Sequence, residues 1–348
     1  MAISDTNYDF LIIGQGLAGS ILSFCLINRG MRVMVIDNDH HASSSRVAAG
    51  IINPITGNKL NISERFDTYY SSAVELYANM GKEINAEVFQ TILQKRLIVD
   101  QAQSDLVQQR LKQSKYQAYI AETETENRAT KSGFSSVRIL KSAIVNTKLL
   151  LASTKTWLQQ NSSFQSAEID YQAISESKTY FNVGGITANK IIFCEGYQAI
   201  NNPWLKDLPF KLAKGEIVTI NHDQDKFDEM LNWGKWLIPS NDRQAKLGSN
   251  FDWDDLSLNP NADTQASLLE SLHQYTSIKG NAIKSEVGIR PSTLRREPFI
   301  GALSNLENAY CFNGFGSKGC LQIPYYAELL CDFLLEEKPL PSKVTKWL

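Results

Sequence analysis

Two short segments near opposite ends of the chain carry residue types that can hold a doubly phosphorylated ligand. The first is Tyr8-Asp9-Phe10-Leu11-Ile12-Ile13-Gly14-Gln15-Gly16-Leu17-Ala18-Gly19, closed by Asp37, and the second is Gly314-Phe315-Gly316-Ser317-Lys318-Gly319. In the first, Gly14 allows a tight bend, Gly16 lets the backbone approach a pyrophosphate, and Gly19 lets a helix pack closely on a strand. Backbone N–H groups and the positive end of that helix supply the anion site. Asp37 falls 23 positions after Gly14, where a carboxylate can accept from ribose hydroxyls. The second segment reads as a late return of the chain to the same ligand. A grip from both ends points to a flavin dinucleotide held permanently more than to a nicotinamide that comes and goes.

These residues need a scaffold, and the apolar runs supply one. Residues 8–13 and Arg32-Val33-Met34-Val35-Ile36 read as strands. Between them Leu17 to Asn28 reads as a helix ended by Gly30, whose lack of a Cβ suits a left-handed cap. A third strand is expected at Lys190-Ile191-Ile192-Phe193-Cys194, running into Glu195-Gly196, and a fourth at Ala309-Tyr310-Cys311-Phe312-Asn313, stopping at Gly314. Strands that end at glycine bring distant parts of the chain, Gly196 included, to one edge of a sheet. Ser43 to Pro54 is rich in small side chains and hydroxyls. It suits a loop passing under a flat ring system, and the plainer alternative is an ordinary Ser/Ala loop.

Two blocks differ in texture. Residues 82–142 are rich in Gln, Lys, Glu and Ser, with a helix expected through Ser104 to Tyr119 and a mobile polar loop from Glu122 to Ser132. Residues 206–287 hold strand-like pieces, Glu216-Ile217-Val218-Thr219-Ile220 and Trp236-Leu237-Ile238, then a helix around Thr264 to Thr276. The fold class that follows is α/β: a Rossmann-like dinucleotide-binding domain from 1–81, 143–205 and 288–348, and a β-rich (α+β) substrate domain from the insertions 82–142 and 206–287.

At 348 residues and 43% hydrophobic content the chain can bury a large core in two domains. A net charge of −2 and a pI near 6.1 give no basic field for nucleic acid. No run approaches the ~18 apolar residues of a membrane span. The start, Met1 to Asn7, has no apolar signal core, so a cytoplasmic location is expected. The five cysteines have no C-x-x-C spacing and sit mostly in apolar runs, which reads as buried free thiols. His40, His41, His222 and His273 share no metal spacing, and Asp252, Asp254 and Asp255 read as a solvated turn with helix caps.

Taken together, Gly14 to Gly19, Ala48-Ala49-Gly50, Gly288-Ile289-Arg290-Pro291, Pro298-Phe299-Ile300-Gly301 and Gly314 to Gly319 resemble, in that order, the FAD-dependent amino-acid oxidase family typified by D-amino-acid oxidase, glycine oxidase and sarcosine oxidase. The resemblance implies that Leu17, Ala18, Asp37, Asn38, Ser44, Ser45, Ala49, Gly50 and Ile51 contact FAD, with Ile174 meeting the adenine through its backbone. It also implies that Phe315 to Leu321, which includes Gly316, Ser317, Lys318, Gly319, Cys320 and Leu321, wraps the isoalloxazine, Cys320 serving as packing.

In that family the arginine of the Gly-Ile-Arg-Pro motif pairs with the substrate carboxylate, which assigns Arg290. A planar fork of donors suits a carboxylate. Arg290 stands among apolar neighbours where a guanidinium is rarely placed without a partner, and the competing reading is an internal salt bridge to Glu286. Trp236 stands where several relatives carry a tyrosine over the flavin; the plainer reading is a core tryptophan. Lys318 is either a cation at the flavin N1–C2 edge or a surface lysine. Relatives with covalent flavin carry a cysteine close after the Arg-Pro pair. Here Ser292 stands there, so non-covalent FAD is expected.

The resemblance therefore implies oxidation of the C–N bond of a small amino acid or N-substituted glycine, with oxygen or another electron acceptor as partner. A second expectation comes from Phe193-Cys194-Glu195-Gly196-Tyr197-Gln198-Ala199 and Gly316 to Leu321. These look like the FAD domain of the bifunctional tRNA enzyme that acts on carboxymethylaminomethyl wobble uridine. The missing basic surface argues against RNA. A flavoprotein without turnover is the third.

Overall fold

Phe10-Leu11-Ile12-Ile13 is apolar without alternation, the pattern of a strand covered on both faces, and all four side chains are buried. In the computed structural model, which describes residues 7–39, 43–124, 131, 133–176, 180–224, 227–241 and 243–348, this run belongs to the strand Asn7–Ile13 inside the first of two eight-stranded sheets. Its parallel neighbours are Val33–Asp37 and Ile186–Phe193, flanked in turn by the parallel strands Phe164–Ser166 and Ala309–Asn313. Ile13 is level with Ile36 and Phe193, and Phe193 with Cys311. The strands foreseen from the apolar runs therefore end along one edge, where open parallel sheets bind ligands. The third strand begins earlier than expected because Ile186 to Ala188 also form a hairpin with Phe181–Val183.

The helix Leu17–Ile27 ends at Asn28, and Gly30 takes φ +80°. It shares one core with the helices Phe66–Glu83 and Gly319–Glu336. Two tyrosines of Phe66–Glu83 fix the start of the C-terminal helix: Tyr77 donates to the Cys320 carbonyl at 2.9 Å, and the Tyr69 and Tyr326 hydroxyls meet at 3.0 Å.

The second sheet forms the β-rich domain. Its order is Gly280–Arg290, Ala213–His222, Gln244–Gly248, Trp236–Asn241, Met230–Asn232, Gln94–Ile98, Ser135–Ile139, Ile120–Glu124. Its strands thus come from two stretches of chain, joined where Met230–Asn232 runs parallel to Gln94, Lys95 and Arg96. Along Ala213–His222 the side chains alternate: Val218 and Ile220 pack under the helix Ala262–Tyr275 with Leu268 and Leu272. Gly215 and Ile217 face the carboxyl edge of the first sheet.

A local cap moved one of the two expected helices, and another fixes the start of the second where expected. Asp100 accepts from the Gln103 N–H at 2.7 Å, so that helix is Gln101–Leu111, and Ser114–Tyr116 is a separate 3-10 turn. Asn261 caps Ala262–Tyr275 by accepting from Asp263 and Thr264 N–H. Of the loop expected at 122–132, residues 122–124 belong to a strand, and all the rest except Lys131 lies outside the described residues. No helix among the described residues is long and apolar enough to cross a membrane.

Candidate active site

A cavity of about 420 Å³ lies beyond the carboxyl edge of the first sheet and reaches the inner face of the second. At one end the helix Leu17–Ile27 starts at Gly16, which has no side chain to cap it, and carries no acid in its first turn. Gly14, Gly16, Leu17 and Ala18 line the cavity there, so the helix offers its positive end to whatever fills it. Gly14 has φ +100°, and a Cβ on it would lie 2.7 Å from the Cys194 carbonyl oxygen. Gly19 does not face the cavity; a Cβ there would come within 1.9 Å of the Gly14 carbonyl oxygen, so its part is helix–strand packing. Asp37 and Asn38 line the next stretch. The Asp37 carboxylate accepts from the N–H groups of Gln15 and Asp39, each at 2.7 Å.

Ser44, Ser45, Ala49, Gly50 and Ile51 also line the cavity. The segment is more ordered than a plain loop: Ser44–Val47 is one helical turn and Ile51–Ile52 a short strand. Ser45 Oγ accepts from the Leu17 N–H at 3.0 Å, tying it to the glycine turn. From the late segment Phe315, Gly316, Ser317, Gly319 and Cys320 reach the cavity, as does Gly196. Asn313 Nδ2 donates to the Gly196 carbonyl at 2.9 Å and holds two strand ends together. Burial pushes the Cys320 thiol up to about 12, which leaves little thiolate at neutral pH.

Besides Gly19, four expected residues lie off the cavity. Ile174 packs into the core on the sheet's other side, and Ala167, Glu168 and Ile169 line the wall in its place. The reason is register, since Ser166 is level with Asp37 and the residues after it pass the strand ends. Gly314, at φ +87°, only turns the chain, and Leu321 is buried in the helical core. The Lys318 carbonyl accepts from the N–H groups of Leu321 and Gln322 and so caps the C-terminal helix. Its ammonium lies in the field of Arg296, Glu64 and Glu297, and is lowered first by burial and then by Arg296. The amino end of the helix Gly319–Glu336, not an ammonium, borders the cavity there.

At the other end stand Arg290 and Trp236. Glu286 does not pair with Arg290: Lys148 and Lys284 hold it at 2.8 and 3.1 Å. The Arg290 guanidinium instead donates to the carbonyls of Lys214 (3.3 Å) and Asn250 (3.2 Å) and to Ser249 Oγ (3.0 Å), with the Phe251 ring 4.1 Å away. It has no carboxylate among the described residues, and burial alone lowers it to about 10. Two glycines make room for these side chains. A Cβ on Gly215 would meet the Arg290 guanidinium at 2.1 Å, and one on Gly248 the Trp236 ring at 2.5 Å.

Sequence reasoning missed several residues of this site. Gly215, Gly248, Ser249, Asn250 and Phe251 are assembled by strand pairing across the second sheet. Lys235 Nζ donates to the Ser249 carbonyl at 3.1 Å, and it is lowered by burial and then by Arg290. The Asp255 side chain is solvent-exposed as expected, and it also takes the ammonium of the buried Lys214 at 2.6 Å; that bond first, and those from Ser257 next, hold it down to about 2. Glu195 lines the cavity and accepts from the Tyr171 hydroxyl (2.5 Å) and Asn202 Nδ2 (2.7 Å). Burial raises its carboxyl to about 7 against those two bonds. His40 and His41 lie outside the described residues.

A parallel sheet with a helix that starts at a glycine turn and an acid at the ribose position, facing a second sheet that presents a part-buried guanidinium, defines a two-domain dinucleotide-dependent oxidoreductase. The chain belongs to the FAD dependent oxidoreductase (DAO) family, whose model matches residues 9–333. It is 25% identical over 201 residues to the tRNA 5-methylaminomethyl-2-thiouridine biosynthesis bifunctional protein MnmC of Leptospira interrogans, a match over 47% of this chain and 31% of that protein. The chain thus spans about a third of the length of such curated relatives. Among solved structures it superposes on glycine oxidase from Bacillus cereus with TM-score 0.81 at 15% identity, over 96% of each chain. It also superposes on iminodiacetate oxidase from Chelativorans with TM-score 0.76 at 17% identity, over 97% of this chain and 98% of that one.

Proposed function

We propose that this protein oxidises the C–N bond of a small amino acid or N-substituted glycine. The observation that carries the reading is the Arg290 guanidinium, part-buried at the cavity beside Trp236 with no carboxylate on it among the described residues. A desolvated cation of that kind stabilises an acid group delivered by a ligand, and its planar fork fixes the direction from which that ligand enters. Trp236 supplies a flat apolar wall opposite. Asp37, Ser45, the open end of the helix Leu17–Ile27 and the amino end of Gly319–Glu336 would hold FAD, non-covalently because the Cys320 thiol is too poorly ionised to attach it.

Bound there, FAD would accept a hydride from the substrate Cα, leaving an imine that water hydrolyses, with oxygen or another acceptor restoring the cofactor. The contribution of this chain is orientation. Arg290 holds the carboxylate so that Cα is presented at a fixed distance, and correct presentation can replace roughly 7 to 11 kcal/mol of barrier. The ring of Trp236 gives the reacting carbon an apolar neighbour in the cavity wall. A neutral amine needs no base from the protein.

The test is anaerobic reduction of the yellow holoprotein by glycine, sarcosine, proline, D-amino acids, iminodiacetate and carboxymethylaminomethyl nucleoside. Bleaching by at least one small amino acid is expected, with Arg290→Ala losing it. Bleaching by none of them, or full activity in Arg290→Ala, would overturn the reading.

The likeness to MnmC favours a second reading, in which the N-substituted glycine is carried on a tRNA uridine. It predicts retention of tRNA that weakens as salt rises. The net charge of −2 speaks for the small substrate.

A further inference from the structure

Ser249 lines the cavity and holds two cations at once: its carbonyl accepts from Lys235 Nζ at 3.1 Å and its hydroxyl from Arg290 Nη2 at 3.0 Å. Several other cations of the second sheet are matched by acids, while the buried Arg96 bonds the neutral Asn232 instead. Lys95 meets Glu229 at 3.1 Å, Lys214 meets Asp255 at 2.6 Å, and Lys284 meets Glu286 at 3.1 Å. Lys235 and Arg290 have no salt bridge among the described residues, although both are at least half buried. Two like charges drawn onto one residue repel, and the repulsion is felt at Lys235, whose ammonium Arg290 disfavours. Such an arrangement persists at modest cost only where anionic charge arrives from outside.

One carboxylate fills the Arg290 fork. Lys235 lies in the hairpin between Met230–Asn232 and Trp236–Asn241, behind the cavity wall, and its ammonium reaches the cavity-lining Ser249. The half-exposed Phe251, which covers Arg290 from the next strand end, leaves that side of the cavity open to solvent.

Building on the proposed amine oxidation, we propose that Lys235 is a specificity residue for a second anionic group. On this view the preferred substrate is an amine bearing carboxylates on two separate arms, the first on Arg290 and the second on Lys235. Iminodiacetate and sarcosine form a matched pair of probes, because they differ only in a carboxylate on the second arm.

The holoenzyme should prefer iminodiacetate over sarcosine by about tenfold or more in kcat/KM, the size of one charge-assisted hydrogen bond. Lys235→Gln should erase most of that preference through KM, Lys235→Glu should reverse it, and Lys235→Arg should keep it. Equal loss on both substrates, or no preference in the parent enzyme, would overturn the assignment.

Should no amine reduce the flavin, the same question is answered by binding. Diglycolate and methoxyacetate, which carry an ether oxygen in place of the amine of iminodiacetate and sarcosine, are titrated against the flavin absorbance of parent and Lys235→Gln holoprotein, and a diglycolate preference that falls in the variant supports the proposal. Unchanged diglycolate affinity in a variant that has lost tRNA retention would overturn it in favour of a phosphate contact.

Discussion

The Arg290 guanidinium lies directly over Gly215, so close that a methyl group there would meet Nη2 at 2.1 Å. Neither residue can change without the other, because Gly215 sits on the strand that supplies the Lys214 carbonyl to the same guanidinium. Gly215→Ala should push the fork off its three oxygens and misplace any bound carboxylate by about 1 Å, which costs roughly a hundredfold in kcat/KM. Steady-state kinetics on an amino acid that reduces the flavin would show it. Kinetics equal to the parent's would mean that the fork is not the orienting group.

Glu195 should make stability depend on pH near neutrality. Burial raises its carboxyl to about 7, above the ~4.3 of a free glutamate. The folded chain therefore binds more protons than the unfolded chain between those values, and stability falls as pH rises through that window. Glu195→Gln removes the titration, so its Tm should gain on the parent's from pH 5 to pH 8. Parallel melting curves across the range would contradict this. Tyr171 and Asn202 donate to the carboxylate, so the charged form keeps partial support and the effect is smaller than burial alone would give.

The first sheet was legible because its signals are local. An unalternating apolar run, a glycine turn and an acid at the next strand end all lie within about 30 residues, and the strands that follow repeat the pattern up to Asn313. The surroundings of Arg290 were not legible. Its oxygens come from residues 40 and 76 positions away in sequence, brought together by strand register alone. The place of Ile174 off the wall has the same origin, since whether residue 167 or 174 lines the cavity depends on where Phe164–Ser166 stops against Asp37. For Lys318 the sequence leaves both a flavin-edge cation and a surface lysine open because it does not give the direction of a side chain, and the residue is absent from the cavity wall.

Gly19→Ala should cost the protein its cofactor. The added methyl would lie 1.9 Å from the Gly14 carbonyl oxygen and 3.3 Å from Ile12 Cγ2. Backbone cannot yield as a flexible side chain does, so the helix Leu17–Ile27 must lift from the strand and its amino end must leave the cavity. Overpacking of this kind costs about 1–3 kcal/mol or more. Purified variant should carry little flavin absorbance and melt at a lower temperature. A fully yellow protein with parental Tm would show that helix and strand have slack that the geometry denies.

The stretch from Ser249 to Asn261 carries the groups that surround Arg290, and the opposite face of the strand Ala213–His222 ties it down. Lys214, 1% exposed, bonds Asp255 and the Asn259 carbonyl at 2.6 and 2.7 Å, and Glu216 accepts from the Asn261 N–H at 2.9 Å. The bond to Lys214 holds Asp255 down to about 2, below its unfolded value, so this stabilisation is complete above about pH 4 and is lost as pH falls through 2. Asp255→Asn should speed hydrogen exchange of amides 252–259 at neutral pH while leaving the strand Ala213–His222 protected, and KM should rise several-fold as Phe251 loosens over Arg290. Lys214→Met should be harsher, since it leaves Glu216 buried and without its cation, a loss of about 3–5 kcal/mol in comparable pairs. Exchange in Asp255→Asn identical to the parent's would place the anchor elsewhere, in the paired backbone of Lys214 and Asp252.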